Sequence, residues 1–267
     1  MLLMVDHVTR YTYDRPVRGV VQSHRLTPSR FDGQKTLDWS VTVTDGVAGG
    51  SFRDGAGDLI CGWTVPGPVS EIAVRVQGRI ETRDLIGVLR GHRETVMPDC
   101  YLHDTAATRA DVAIMALADL AAGAANPLSA AHTLADAVAE AIEYRPGSTR
   151  AQTTAAEALA QGQGVCQDHA HVVIAAARCA GIPARYVSGY LLVTDDLSEA
   201  AHAWAELHVA GLGWVGFDPA NRCCPDDRYI RLGSGLDAQD AAPIRGVSRG
   251  KGQESLDVTV AVLSDQQ

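Results

Sequence analysis

The chain has 267 residues, 46% hydrophobic and 5% aromatic, and its 32 acidic against 23 basic side chains leave a formal net charge of −9. That length accommodates two unequal domains with a substantial core packed through small side chains rather than ring clusters. The acidic balance excludes a general affinity for nucleic acid or anionic membrane, and no apolar stretch approaches the roughly 20 residues needed to cross a bilayer.

The opening MLLMVDHVTRYTYD lacks a basic region followed by an apolar segment of signal length, so a cytoplasmic location is expected. Six cysteines with no CxxC pair do not make a disulfide framework; adjacent Cys223 and Cys224 are expected as free thiols. Residues 5–13 alternate apolar and polar and predict a strand. A turn at Asp14-Arg15-Pro16 and a second strand ending near Pro28 follow. Further strands are expected at 36–44, 57–65 and 69–82, separated by Asp-Gly, Gly-Gly and Pro-Gly turns. Residues 1–90 therefore predict a small all-β, sandwich-like domain, and 91–105 a linker.

Residues 106–267 read differently. A helix is expected through AATRADVAIMALADLAAG, capped by Asp104 or Thr105, and a second through AAHTLADAVAEAIEY, capped by Ser129. Thr154 followed by Glu157 has the spacing of a capping box and predicts a short third helix. Gly162 and Gly164 then lead to Cys166, after which Val172, Val173, Ala176, Ala177 and Ala180 give a helical apolar face. Cys166 is thereby placed at or just before a helix N-terminus, where unpaired backbone N–H groups favour a thiolate.

Two later segments bear on Cys166. HAWAELHV alternates, with His202, Trp204, Glu206 and His208 on one face, and WVGFD forms a second strand after a Gly-Leu-Gly turn. If the two pair as a hairpin, Asp218 lies close to His202 and orients it as a base. Trp204 is a candidate cleft wall or core aromatic, and Glu206 and His208 are expected in solvent or behind the site. Gln161, Gln163, Gln167 and the backbone N–H of Cys166 are candidate oxyanion donors.

Asp168, His169 and His171 beside Cys166 invite a metal reading, but His169 and His171 do not share a helix face and the spacing is poor for zinc. The carboxylates Asp226, Asp227, Asp237 and Asp240 have no EF-hand spacing. No phosphate loop or dinucleotide fingerprint appears. No metal site is predicted, and nothing requires a cofactor. The segment 254–263 is expected to be a terminal strand completing the catalytic sheet.

GVCQDHAHV around Cys166, GIPARYVSGYL at 181–191, HAWAEL at His202 and GWVGFDPAN ending in Asn221 resemble the transglutaminase-like superfamily. The resemblance is closest to bacterial proteins that join an N-terminal β domain to a papain-like α+β core, and YRPGST, HRLTP and DAAPIRGV extend it over nearly the whole chain. It implies Cys166 as nucleophile, His202 as base and subsequent acid, and Asp218 as orienting carboxylate. His169 departs from the aromatic residue usual in that block and is expected to alter the substrate wall or the charge environment of the cysteine. The expected activity is hydrolysis of an amide or peptide bond in a peptide or protein substrate through a thioester. Acyl transfer from glutamine to amines is the enzymatic alternative, and a non-catalytic binding protein the alternative of a different class. Neither a nucleic-acid nor a membrane partner is expected, and the oligomeric state is left open.

Overall fold

The computed structural model describes residues 1–193 and 200–264. The first half is a twisted antiparallel sheet built on two long strands, β1 (Leu2–His24) and, after β2 (Gln34–Val43) and β3 (Val47–Arg53), β4 (Leu59–Thr82). β1 and β4 pair along most of their length, and β2 and β3 both pair with β4. Alternation does the positioning: Leu3, Val5, His7, Thr9, Tyr11 and Tyr13 all point inward from β1.

The strands expected separately at 5–13 and beyond Pro16 are one. Their register against β4 shifts between Thr12 and Val17 and again before Gly19, so Pro16 falls in a bulge where no ladder donor is required. The strands expected at 57–65 and 69–82 merge likewise across Pro66–Pro68. β3, with its two glycines, carries no periodic signal and was not expected.

The connector after β4 is docked on the core rather than free. Val88 bridges to Val215, Leu89 N–H donates to the Trp214 carbonyl at 2.9 Å, and residues Pro98–Leu102 form a 3-10 turn. Four helices follow: α1 (Val112–Asp119), α2 (Pro127–Ala141), α3 (Ala155–Gln161) and α4 (Cys166–Cys179). The first two caps differ from expectation. Asp111 Oδ1 accepts from Ile114 N–H, and Asn126 Oδ1 from Ser129 N–H, both at 2.9 Å. Pro127 at the first helical position makes Asn126 the better cap than Ser129. The Thr154–Glu157 capping box forms as the spacing predicts.

Two short strands, β5 (Glu143–Tyr144) and β6 (Gln163–Gly164), pair in parallel just ahead of α4. Beyond it β7 (Ala184–Leu191), β8 (Ala201–Val209), β9 (Gly213–Phe217) and β10 (Tyr229–Gly235) form a second antiparallel sheet in the order β10-β7-β8-β9. Every residue of β7 and β10 is buried because both faces are covered. On one face α4 and its neighbours pack against Ala203, Ala205 and Leu207. Tyr190, Ile230 and Leu232 join the core of the first sheet on the other.

The C-terminal strands correct the expected place of residues 254–263 in the catalytic sheet. β11 (Ile244–Ser248) and β12 (Glu254–Ser264) pair with β1, not with the second sheet. β10 and β9 already border the second sheet, and β1 offers a free edge along which β12 aligns from Tyr13↔Glu254 to Leu3↔Ser264.

Candidate active site

Cys166 is the first residue of α4, half-buried, with Val165 as N-cap. The turn is closed by Asp168, whose Oδ2 accepts from Val165 N–H at 2.8 Å and from the Thr149 hydroxyl at 2.6 Å. Gly164 is required here, because a Cβ would lie 2.6 Å from that of Asp168. The Asp168 N–H turns back to the Val165 carbonyl at 3.0 Å, and the dipole of the helix N-terminus favours negative charge at the sulfur.

The β8–β9 hairpin pairs Leu207 with Val215 and Val209 with Gly213. Followed back up the ladder, it brings His202 and Asp218 together: Nε2 of His202 donates to Asp218 Oδ2 at 2.7 Å. With Nε2 engaged, Nδ1 is the ring nitrogen left to face Cys166, whose sulfur lies close enough to help raise the imidazole pKa. The three residues singled out in the sequence thus adjoin one another. Gly189, opposite His202 on β7, leaves no room for a side chain, since a Cβ would lie 2.1 Å from the Ile230 carbonyl and 2.7 Å from the Trp204 ring.

Burial works against a charged His202, but hydrogen bonds and charge from Asp218 and Cys166 outweigh it and raise its pKa to about 10. Burial would raise the Asp218 carboxyl, yet the donors around it hold it below its usual range. Two of those donors escaped sequence reading. Asn221 Nδ2 reaches Asp218 Oδ2 at 2.7 Å and Tyr229 OH reaches the same oxygen at 2.8 Å. Asn221 lies three residues after Asp218 in a turn, a spacing that could have flagged it. Tyr229 arrives from β10, across a loop, and carries no local signal.

The remaining candidates sit elsewhere. Trp204 is 3% exposed, stacked on His202 at 6.5 Å and packed edge-on against Tyr229 at 5.5 Å, so it backs the imidazole. His169 corrects the expected substrate wall: it is 1% exposed, its ring spanning the Val165 carbonyl at 2.9 Å and the Ile142 carbonyl at 3.0 Å. It ties the start of α4 to the end of α2. His171 is internal, accepting from Ala238 N–H at 3.0 Å, and burial pushes its pKa down to about 4. Gln167 donates to the Ala151 carbonyl at 3.1 Å, and Gln163 accepts from Arg145.

Glu206, expected in solvent or behind the site, is instead the hub of a buried ion network. It accepts from Arg185 Nε at 2.7 Å and Arg231 Nε at 2.8 Å, while Arg231 also bonds Asp58 at 2.9 Å and Arg185 bonds Glu94. Burial would raise the Glu206 pKa, but the two guanidiniums lower it to about 2. β8 therefore carries His202 at one end and, four residues on, a carboxylate tied to the first sheet through Asp58.

Comparison with known proteins agrees with this architecture. Residues 3–81 match the bacterial transglutaminase-like N-terminal region, and residues 115–219 match the core of the transglutaminase-like superfamily. An uncharacterized protein of Mycobacterium leprae is 29% identical over 274 residues, covering 97% of this chain and 98% of its own. An uncharacterized Mycobacterium tuberculosis protein is 37% identical over 142 residues, which span 49% of this chain and 45% of that one. A candidate cysteine protease from Cytophaga hutchinsonii shares the fold with a TM-score of 0.75 at 23% identity, covering 100% of this chain and 92% of that chain. With β1 to β4 covered to within one residue at either end by one matched region, and Cys166, His202 and Asp218 inside the other, the chain belongs to the transglutaminase-like superfamily and carries the bacterial N-terminal region ahead of its core.

Proposed function

We propose that the protein hydrolyses an amide or peptide bond through a thioester on Cys166. The observation that carries this reading is the His202 imidazole, held by the Asp218 carboxylate at 2.7 Å beside Cys166 at the start of α4, with its pKa raised to about 10. In the proposed cycle the Cys166 thiolate attacks the carbonyl carbon, and the backbone N–H of Cys166 faces the developing oxyanion. Protonated His202 gives its proton to the departing amine, leaving a thioester. Neutral His202 then takes a proton from water, hydroxide adds to the thioester, and the acid leaves as the thiolate–imidazolium pair is restored. Hydrolysis requires only that water reach the thioester, whereas acyl transfer needs an amine held beside it.

Mass spectrometry of mixed peptides and proteins after incubation, with and without a labelled primary amine, tests this proposal, with Cys166→Ala as control. Cysteine-dependent cleavage or a one-dalton deamidation shift is expected. Label incorporation in place of water would assign acyl transfer, and identical products from wild type and Cys166→Ala would refute both enzymatic readings.

A further inference from the structure

A cavity of about 470 Å³ opens where the first sheet meets the connector, lined by Arg30, Arg53, Arg93, His92 and Asp32. The size lies within the range of small-molecule sites, and neither Cys166, His202 nor Asp218 borders it. Its floor is fixed. The His92 ring spans the Ala56 carbonyl at 2.7 Å and the Arg30 carbonyl at 3.2 Å, and Arg53 donates to the Gly57 carbonyl at 2.7 Å.

The charge here runs against the rest of the molecule. In a chain of net charge −9, three exposed guanidiniums from three segments share one concavity with a single carboxylate, Asp32. Among the described residues none of the three arginines forms an ion pair. The nearest acids in the chain are already committed inward: Asp54 to Arg25 at 2.8 Å, Asp58 to Arg231 at 2.9 Å and Glu94 to Arg185. A folded protein that spends its local acids elsewhere and leaves three cations facing one cavity has built the electrostatics of an anion site.

We propose that this cavity binds a small phosphorylated molecule, its phosphate held by Arg30, Arg53 and Arg93. A planar carboxylate satisfies one guanidinium fork at a time, whereas tetrahedral phosphate directs oxygens toward several. The ligand is multiply charged, since Asp32 offsets one of the three cations.

The probe is inorganic pyrophosphate, titrated calorimetrically into the full-length protein at low salt, with citrate in a parallel arm at matched ionic strength. Saturable binding with Kd below about 1 mM is expected for pyrophosphate, weakening as salt rises. The double variant Arg30→Gln/Arg93→Gln weakens it by about tenfold or more. Asp32→Asn, which removes the one opposing charge, tightens it about threefold, a gain that misfolding cannot produce. Absence of saturable binding, citrate binding as tightly as pyrophosphate, or indifference to both variants would overturn the proposal.

Discussion

Replacing Asp218 by Asn keeps the shape of the side chain and removes the charge that holds His202 protonated. The rise of the imidazole from 6.5 to about 10 corresponds to about 5 kcal/mol in favour of the charged form. Asp218 and Cys166 share that effect; assigning half to the carboxylate gives about 2–3 kcal/mol, or about 50-fold in proton affinity. The proton should therefore sit about 50-fold less firmly on the imidazole relative to the sulfur. Alkylation of Cys166 by iodoacetamide, followed by mass spectrometry from pH 5 to 9, should slow by about 30-fold or more near pH 7. Stability gives a second readout. A histidine with a raised folded pKa contributes stability that is complete below its unfolded value of 6.5 and is lost as pH rises through about 10. Urea midpoints of the wild type should accordingly fall between these values, and those of Asp218→Asn should fall less. An alkylation profile for the variant that overlays the wild type within about threefold would refute this account of the pair.

Glu206→Gln should destabilise the protein by about 3–5 kcal/mol at pH 7 in urea unfolding, because it leaves Arg185 and Arg231 buried without their shared acceptor. With its folded pKa lowered to about 2, Glu206 contributes stability above the unfolded carboxylate range that is lost as pH falls through 2; a cost under about 1 kcal/mol would dismiss the network as a clamp. Tyr229→Phe removes one of three donors to Asp218 Oδ2 and should cost about 1.5–3 kcal/mol of stability. Two donors to that oxygen survive, so its Cys166 alkylation rate should stay within about fivefold of wild type. Thr154→Ala breaks the α3 capping box and should lower stability by about 1 kcal/mol, measured by the same unfolding assay.

Much of the site was legible because its signals are local. Cys166 follows two glycines and precedes a helical apolar face, and the alternation of HAWAELHV places His202 and Glu206 on one side of β8. What sequence could not show was what each face meets. Glu206 looks like an ordinary exposed strand carboxylate until Arg185 from β7 and Arg231 from β10 arrive across the ladder. His169 occupies an aromatic position in its block, yet its two carbonyl partners come from 4 and 27 residues away, and the second depends on how α2 ends. The destination of β12 was equally hidden. Its alternating pattern fits the edge of either sheet, and only the free side of β1 decides between them.

That free side of β1 makes the two halves topologically inseparable. The first sheet takes β1 to β4 from one end of the chain and β11 and β12 from the other, so everything that carries Cys166, His202 and Asp218 is an insertion between strands of a single sheet. A cut in the connector would strand β11 and β12 on the fragment that lacks their partner. Completion of the first sheet therefore awaits β11 and β12, and the protein is expected to acquire its stability as one cooperative unit rather than half by half.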